Sequence, residues 1–168
     1  MLKIISGNMT PVWDNEYKKY TYNRQPVTEK ELSSWRHQGY YHESYTGEMY
    51  GGKNPMPDWV WQVSSELNLG NPGFVLYRMN TYDIMPTHID HFKRYCEVFN
   101  VEREHVFRAV VFLEEWKAGH YFEMNGKCIA NYQAGHYVLW SADVPHAAAN
   151  IGIDPRYTLQ ITGTLSGI

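Results

Sequence analysis

Six short apolar segments spaced along residues 74–164 constrain the fold more than any other feature of this chain. They lie at 74–80, 106–113, 120–124, 127–132, 137–140 and 156–164, and each has the length and composition of a β-strand. Asn125-Gly126 joins the third to the fourth and is a two-residue hairpin signal, because both turn positions need positive φ. Gln133-Ala134-Gly135 marks another turn. The last segment alternates cleanly, with Arg156, Thr158, Gln160 and Thr162 on one face and Tyr157, Leu159 and Ile161 on the other. Residues 1–72 have a different character. A short strand is expected at 2–5, and Thr28-Glu29-Lys30-Glu31 fits a capping box that starts a helix over 29–38, stopped by Gly39. A Tyr- and Gly-rich loop is expected over 40–54, then a helix from Asp58 through Leu67 that Gly70-Asn71-Pro72-Gly73 ends. Helices followed by many short antiparallel strands point to a mainly β sandwich or barrel braced by N-terminal helices, and 168 residues suit one domain.

Composition narrows the class. A net charge of -3 argues against a sequence-independent grip on nucleic acid, which needs a basic surface. Two cysteines, Cys96 and Cys128, form no CxxC pair, so a cytoplasmic protein without a disulfide framework is expected. The start of the chain lacks the pattern of a signal peptide, and no run approaches the roughly 20 apolar residues of a membrane span. Oligomeric state is open.

Three features carry chemistry. His88-Ile89-Asp90 presents an imidazole and a carboxylate on one side of an extended chain. An HxD arises by chance about three times in ten in a chain with this many His and Asp, so alone it is weak. One more His would complete a facial triad, the set that suits non-haem iron(II) and leaves three positions open. His146 follows the apolar segment ending at Trp140, with Pro145 before it and three alanines after it. A buried His bonded to a backbone carbonyl is the plain alternative. Arg156 opens the alternating segment. If Tyr157, Leu159 and Ile161 pack on the N-terminal helices, Arg156 looks into the barrel, where a guanidinium is costly unless an anion meets it.

Together, His88-x-Asp90, His146, and Arg156 ten positions later with Thr158 resemble the Fe(II)/2-oxoglutarate-dependent dioxygenase superfamily, closest to its prolyl-hydroxylase-like branch. The likeness covers residues 74–164. It implies a double-stranded β-helix (jelly roll) core over 73–168 with helical support and a loop over 1–72, in one oxygenase domain. It implies Fe(II) on His88, Asp90 and His146, and the distal carboxylate of 2-oxoglutarate on Arg156 and Thr158. Tyr77, in a strand similar to the branch's Tyr-bearing one, would give its hydroxyl to the same co-substrate. The reaction implied uses O2, releases succinate and CO2, and hydroxylates an unactivated C–H bond of a peptidyl side chain or small molecule. Ascorbate would stimulate it. Metal binding by neutral imidazoles implies loss of activity in mild acid.

Where the branch carries Leu-Asn and a Gly-Gly-x-Thr-x-Phe stretch, this chain has Leu113-Glu114-Glu115 and Gly119-His120-Tyr121-Phe122, which leaves the substrate open. Arg108, His120 and Trp140 are the candidate substrate-side residues. The loop at 40–52 could be a substrate lid or a surface loop pinned by tyrosines, and Glu102-Arg103-Glu104 is most simply a solvated turn. The competing reading is a non-catalytic cupin-like metal- or ligand-binding module. A zinc hydrolase would need a general base that no motif supplies.

Overall fold

The computed structural model describes residues 3–41 and 46–165. Leu2 and residues 42–45 of the expected loop lie outside the described residues. In chain order the elements are β1 (Ile4–Asn8), β2 (Asn23–Arg24), α1 (Glu29–His37), β3 (Glu48–Gly51), α2 (Trp59–Glu66), β4 (Leu69–Met79) and β5 (Ile84–His88). They continue with α3 (Lys93–Phe99), β6 (Val106–Phe112), β7 (His120–Met124), β8 (Lys127–Cys128), β9 (His136–Ser141), β10 (His146–Asn150) and β11 (Arg156–Leu165). Two antiparallel sheets result, one ordered β1-β9-β6-β11-β4-β3-β2 and the other β5-β10-β7-β8. From β4 onward the chain passes back and forth between them, which is the double-stranded β-helix expected from the sequence.

The two faces of β11 explain why the layers sit as they do. Its apolar residues Tyr157, Leu159 and Ile161 join Val60, Val63 and Leu67 of the α2 region in one core outside the large sheet. Its polar face looks the other way, into the space between the sheets. There Val110, Phe112, Val138 and Trp140 of the large sheet meet Phe122, Met124 and Ala148 of the small one. β6 is buried along almost its whole length because it lies between these two cores, so it has a continuous apolar run rather than an alternating one.

Local signals behave as their chemistry requires. Thr28 Oγ1 accepts from the Glu31 N–H at 3.3 Å, and a Glu31 carboxylate oxygen accepts from the Thr28 N–H at 2.7 Å, completing the capping box. Asn125 and Gly126 take φ of 49° and 76°, as the hairpin demands.

Other expectations are corrected. The Gly70-Asn71-Pro72-Gly73 segment does not end the helix region; it lies inside β4. Opposite it β11 advances from Thr162 to Thr164 while β4 goes from Gly73 to Gly70, so the breaker residues form a bulge, with Asn71 at φ 49°. Part of the Tyr/Gly-rich loop is β3, paired to β4 from Glu48↔Arg78 to Gly51↔Val75. β8 is only two residues long, shorter than the 127–132 expected. Trp61, within the expected second helix, is 57% exposed with its ring edge-on to Phe74. β5 and β10 were not anticipated as strands, nor α3 as a helix. β5 contains Pro86, and β10 is mostly alanine, a residue poor in strand propensity. α3 follows Phe92 in the left-handed region, without a side-chain cap. Among the described residues no helix is long and apolar enough to cross a membrane.

Candidate metal centre

His88 ends β5 and His146 begins β10, and the antiparallel pairing of these two strands sets the two residues directly opposite each other. Their rings lie 4.2 Å apart between centroids. Asp90, two residues past the end of β5, turns its carboxylate to the same point, with Oδ2 3.7 Å from His146 Nε2. One ligand atom from each of His88, Asp90 and His146 falls within 4.8 Å of the others. The register of one strand pair, plus the two-residue spacing of HxD, is therefore enough to gather three donors distant in sequence.

Both imidazoles are oriented from behind. His88 Nδ1 is 2.8 Å from the Pro86 carbonyl and His146 Nδ1 is 3.0 Å from the Val144 carbonyl. A carbonyl can only accept, so each Nδ1 carries the proton and each Nε2 keeps its lone pair for a metal. The Asp90 carboxylate faces Arg108, with Nε–Oδ2 at 3.4 Å and Nη2–Oδ1 at 3.5 Å. Burial alone would raise the Asp90 pKa, but Arg108, His146 and His88 outweigh it and hold the carboxyl below its usual range. The donor set is two neutral nitrogens and one ionised oxygen on one side of a pocket, the chemistry that suits a divalent first-row metal with open positions.

Behind the triad the pocket is lined by Tyr77, Val110, Phe122, Trp140, Arg156 and Thr158, among others. β10 runs away from the triad and the chain turns back at 151–155 into β11, so Arg156 lies at the opposite end of the barrel. Arg156 is 5% exposed. Its Nη1 donates to the Tyr121 carbonyl and its Nη2 lies 2.7 Å from the Met79 sulfur, while its Nε has no partner among the described residues. Among the described residues no carboxylate pairs with it. Burial lowers its pKa, and the titratable neighbours acting on it are Tyr132 and Tyr77. A buried cation with neutral neighbours and an unused N–H has the chemistry to receive an anion. Thr158, buried and paired in register with Tyr77, adds a hydroxyl. The Tyr77 hydroxyl accepts from the Gly47 N–H at 2.6 Å, which leaves its own proton to donate. Burial pushes its pKa up to about 12, so that proton stays on.

Gly47 is part of this arrangement. A Cβ there would lie 2.4 Å from the Arg78 carbonyl oxygen and 2.8 Å from the Tyr77 ring. Gly47→Ala must push this segment off β4 and loosen the Tyr77 hydroxyl. The expected result is a loss of about 1–3 kcal/mol in stability, as for other overpacked sites, and weaker binding of any anion held by Tyr77 and Arg156. Urea denaturation and titration with a dicarboxylate read the two effects, and an unchanged affinity would separate Gly47 from the pocket.

Burial and the nearby His88 push the His146 pKa down to about 4, against an opposing pull from Asp90. In the metal-free protein this moves protonation of His146 to lower pH. The sign for stability follows. An unfolded His has a pKa of about 6.5. Between about 6.5 and about 4 the unfolded chain binds a proton at this residue that the folded metal-free chain does not. Stability of the metal-free protein therefore falls as pH drops through that window, and His146 contributes no slope above it. His120 and His136, also lowered by burial, act in the same direction. The urea midpoint measured from pH 7.5 to 5 is expected to fall less steeply in His146→Gln than in the parent. Equal slopes would contradict the assignment.

The substrate-side expectations divide. Arg108 and Trp140 line the pocket, and the Trp140 indole N–H is buried without an acceptor. His120 does not line it. It shares the inward face of β7 with Phe122 and Met124 but sits one step further, opposite Asn150, where its Nε2 is 2.9 Å from the Asp154 carbonyl. Besides the apolar Met85, Val110, Phe122 and Ala148, two polar lining residues lie outside the expected site residues. Gln160 shares the polar face of β11, so the alternation already pointed to it. Gln25 comes from the segment after β2, and nothing in its sequence context signals it. A groove of about 550 Å³ adjoins the triad, running between α1 and β5 past Val27, Trp35, Met85 and Ile89.

No family model matches the sequence, and no curated protein does so either. Solved structures match it at low identity. The chain is similar to a prolyl-4-hydroxylase from Pseudomonas putida, at 13% identity over 96% of this chain and 93% of that one, with a TM-score of 0.56. It is also similar to SnoN, a non-haem alpha ketoglutarate dependent epimerase from nogalamycin biosynthesis, at 11% identity over 96% of this chain and 77% of that one, with a TM-score of 0.55. Likeness at these identities establishes a shared fold.

Proposed function

We propose that this chain is a non-haem iron(II) oxygenase that uses 2-oxoglutarate and hydroxylates an unactivated C–H bond of a peptidyl side chain or small molecule. One observation carries the reading: a buried Arg156 with no carboxylate partner among the described residues stands behind a pocket that also holds a two-His, one-carboxylate triad. The fold shared with a prolyl-4-hydroxylase and an alpha ketoglutarate dependent epimerase supports it. A cupin-like binding module needs donors for a metal but has no use for a buried cation at the far end of the barrel.

Each part of the pocket then has a task. His88, Asp90 and His146 hold the metal by one face, with Nε2 of each imidazole turned inward by the carbonyls behind it. Arg156 and Thr158 receive the distal carboxylate of 2-oxoglutarate, and the Tyr77 hydroxyl donates to the same molecule. Val110, Phe122 and Met85 wall the pocket with apolar surface and keep water from the reacting atoms. The iron, when bound, supplies the activation of O2 that is coupled to decarboxylation of the co-substrate. The groove between α1 and β5 opens beside His88 and Asp90, and its volume, in the range of small-molecule sites, supports it as the substrate's approach.

The test is succinate formation from 2-oxoglutarate with iron(II) and ascorbate under air. Slow turnover is expected without added substrate in the parent and none in His88→Ala. A parent that binds iron but makes no succinate, with or without candidate substrates, would return the chain to the binding-module reading.

A further inference from the structure

The three proposed ligands come from two separate stretches of chain. Asp90 lies beyond the end of β5, in the link to α3, and His146 follows a turn in which Asp143 holds φ at 70°. Such a φ is strained for a residue other than glycine and persists only when neighbouring contacts hold it. One side chain touches both stretches. Arg103, from the short 3-10 turn Arg103–His105, grips Asp143 with both terminal nitrogens, Nη1 to Oδ2 at 3.0 Å and Nη2 to Oδ1 at 2.6 Å. The same Nη2 donates to the Asp90 backbone carbonyl at 3.0 Å. The planar fork of a guanidinium suits such a paired contact, and a lysine cannot reproduce it.

We propose that Arg103 is a positioning residue for the metal centre, a clamp that fixes the Asp90 segment against the turn that delivers His146. Its hydrogen bond to Asp90 is to the backbone carbonyl, so its main action is on backbone placement, beside a weaker electrostatic interaction with the Asp90 carboxylate. Most exposed ion pairs contribute little to stability, and this one is partly exposed, so its value lies in geometry rather than in folding energy. Asp90 is thereby held from two sides, by Arg108 at the carboxylate and by Arg103 at the carbonyl.

The inference rests on the metal-centre reading, and its test separates the two. Mn(II) is titrated into the metal-free protein and affinity is read directly, without turnover. Arg103→Ala is expected to weaken Mn(II) binding roughly tenfold, as loss of an outer partner commonly does. Asp143→Asn is expected to cost less in the same direction, and Arg103→Lys to restore only part of the loss. In Arg103→Ala/Asp143→Ala the losses should not multiply, because the two residues form one contact. The urea midpoint of the metal-free variants should stay near the parent's, which a purely structural role would lower. Folded Arg103→Ala with parental Mn(II) affinity, multiplying losses in the double variant, or full rescue by lysine would each overturn the clamp. A parent that binds no Mn(II) would overturn the metal-centre reading and the clamp with it.

Discussion

Arg156→Met is expected to abolish useful binding of 2-oxoglutarate while leaving the protein at least as stable as the parent when the co-substrate is absent. Both halves follow from the surroundings of the guanidinium. It is buried, its contacts are a carbonyl, a thioether sulfur and the Phe122 ring at 5.7 Å, and one of its N–H groups has no acceptor. A cation so placed is a liability until an anion arrives, and an apolar side chain of similar length removes that liability. With the co-substrate present the balance reverses. Losing one partner of a buried charge pair costs roughly 2–5 kcal/mol, which is about 30-fold to several-thousand-fold in affinity. Metal affinity without co-substrate should hardly change, because the triad lies toward the other end of the barrel. Calorimetric titration and thermal unfolding measure the pair of effects. A strongly destabilised Arg156→Met with unchanged 2-oxoglutarate affinity would make Arg156 a structural residue.

Asp90→Ala is expected to reduce iron affinity by more than about 100-fold and to eliminate succinate formation. The loss of a direct ligand should exceed the 10- to 100-fold typical of residues that only orient one. Asp90 also supplies the one negative charge of the donor set and balances Arg108 at 3.4 Å. Its removal leaves that guanidinium near the metal position with the Phe92 ring 5.5 Å away and no counter-charge, so the pocket becomes repulsive to a dication. Asp90→Asn keeps the shape and loses the charge, and it should fall between the two. Metal affinity is read by equilibrium titration against a chelator of known strength. Retention of parental affinity in Asp90→Ala would remove this carboxylate from the site.

How far the sequence reveals this arrangement depends on where its local signals lie. The alternation in β11 gives both the apolar side that packs on α2 and the polar side that carries Arg156, Thr158 and Gln160 into the pocket, because a two-residue period leaves one choice of faces. Asn125-Gly126 and the capping box at Thr28 are readable because their chemistry is local. The strands bearing the two candidate His ligands are not. β10 is mostly alanine, β5 contains proline, and each gains its conformation from cross-strand pairing rather than from propensity. Asp90 could be paired with His88 from spacing, but only the His146↔His88 register brings in the third ligand. Arg103 reads as part of a solvated Glu-Arg-Glu turn, since nothing in the sequence around it announces Asp143 and the Asp90 carbonyl. His120 errs the other way. Strand parity places it on the inward face, but it lies opposite Asn150, outside the residues that line the pocket.

Crystals of the protein grown with one equivalent of iron(II) under anaerobic conditions, measured on both sides of the iron absorption edge, test the central claim most directly. The account predicts one anomalous peak about 2.0–2.2 Å from Nε2 of His88, Nε2 of His146 and a carboxylate oxygen of Asp90, with the opposite face free of protein ligands. A peak at other residues, a fourth protein ligand closing the site, or no ordered iron would contradict it.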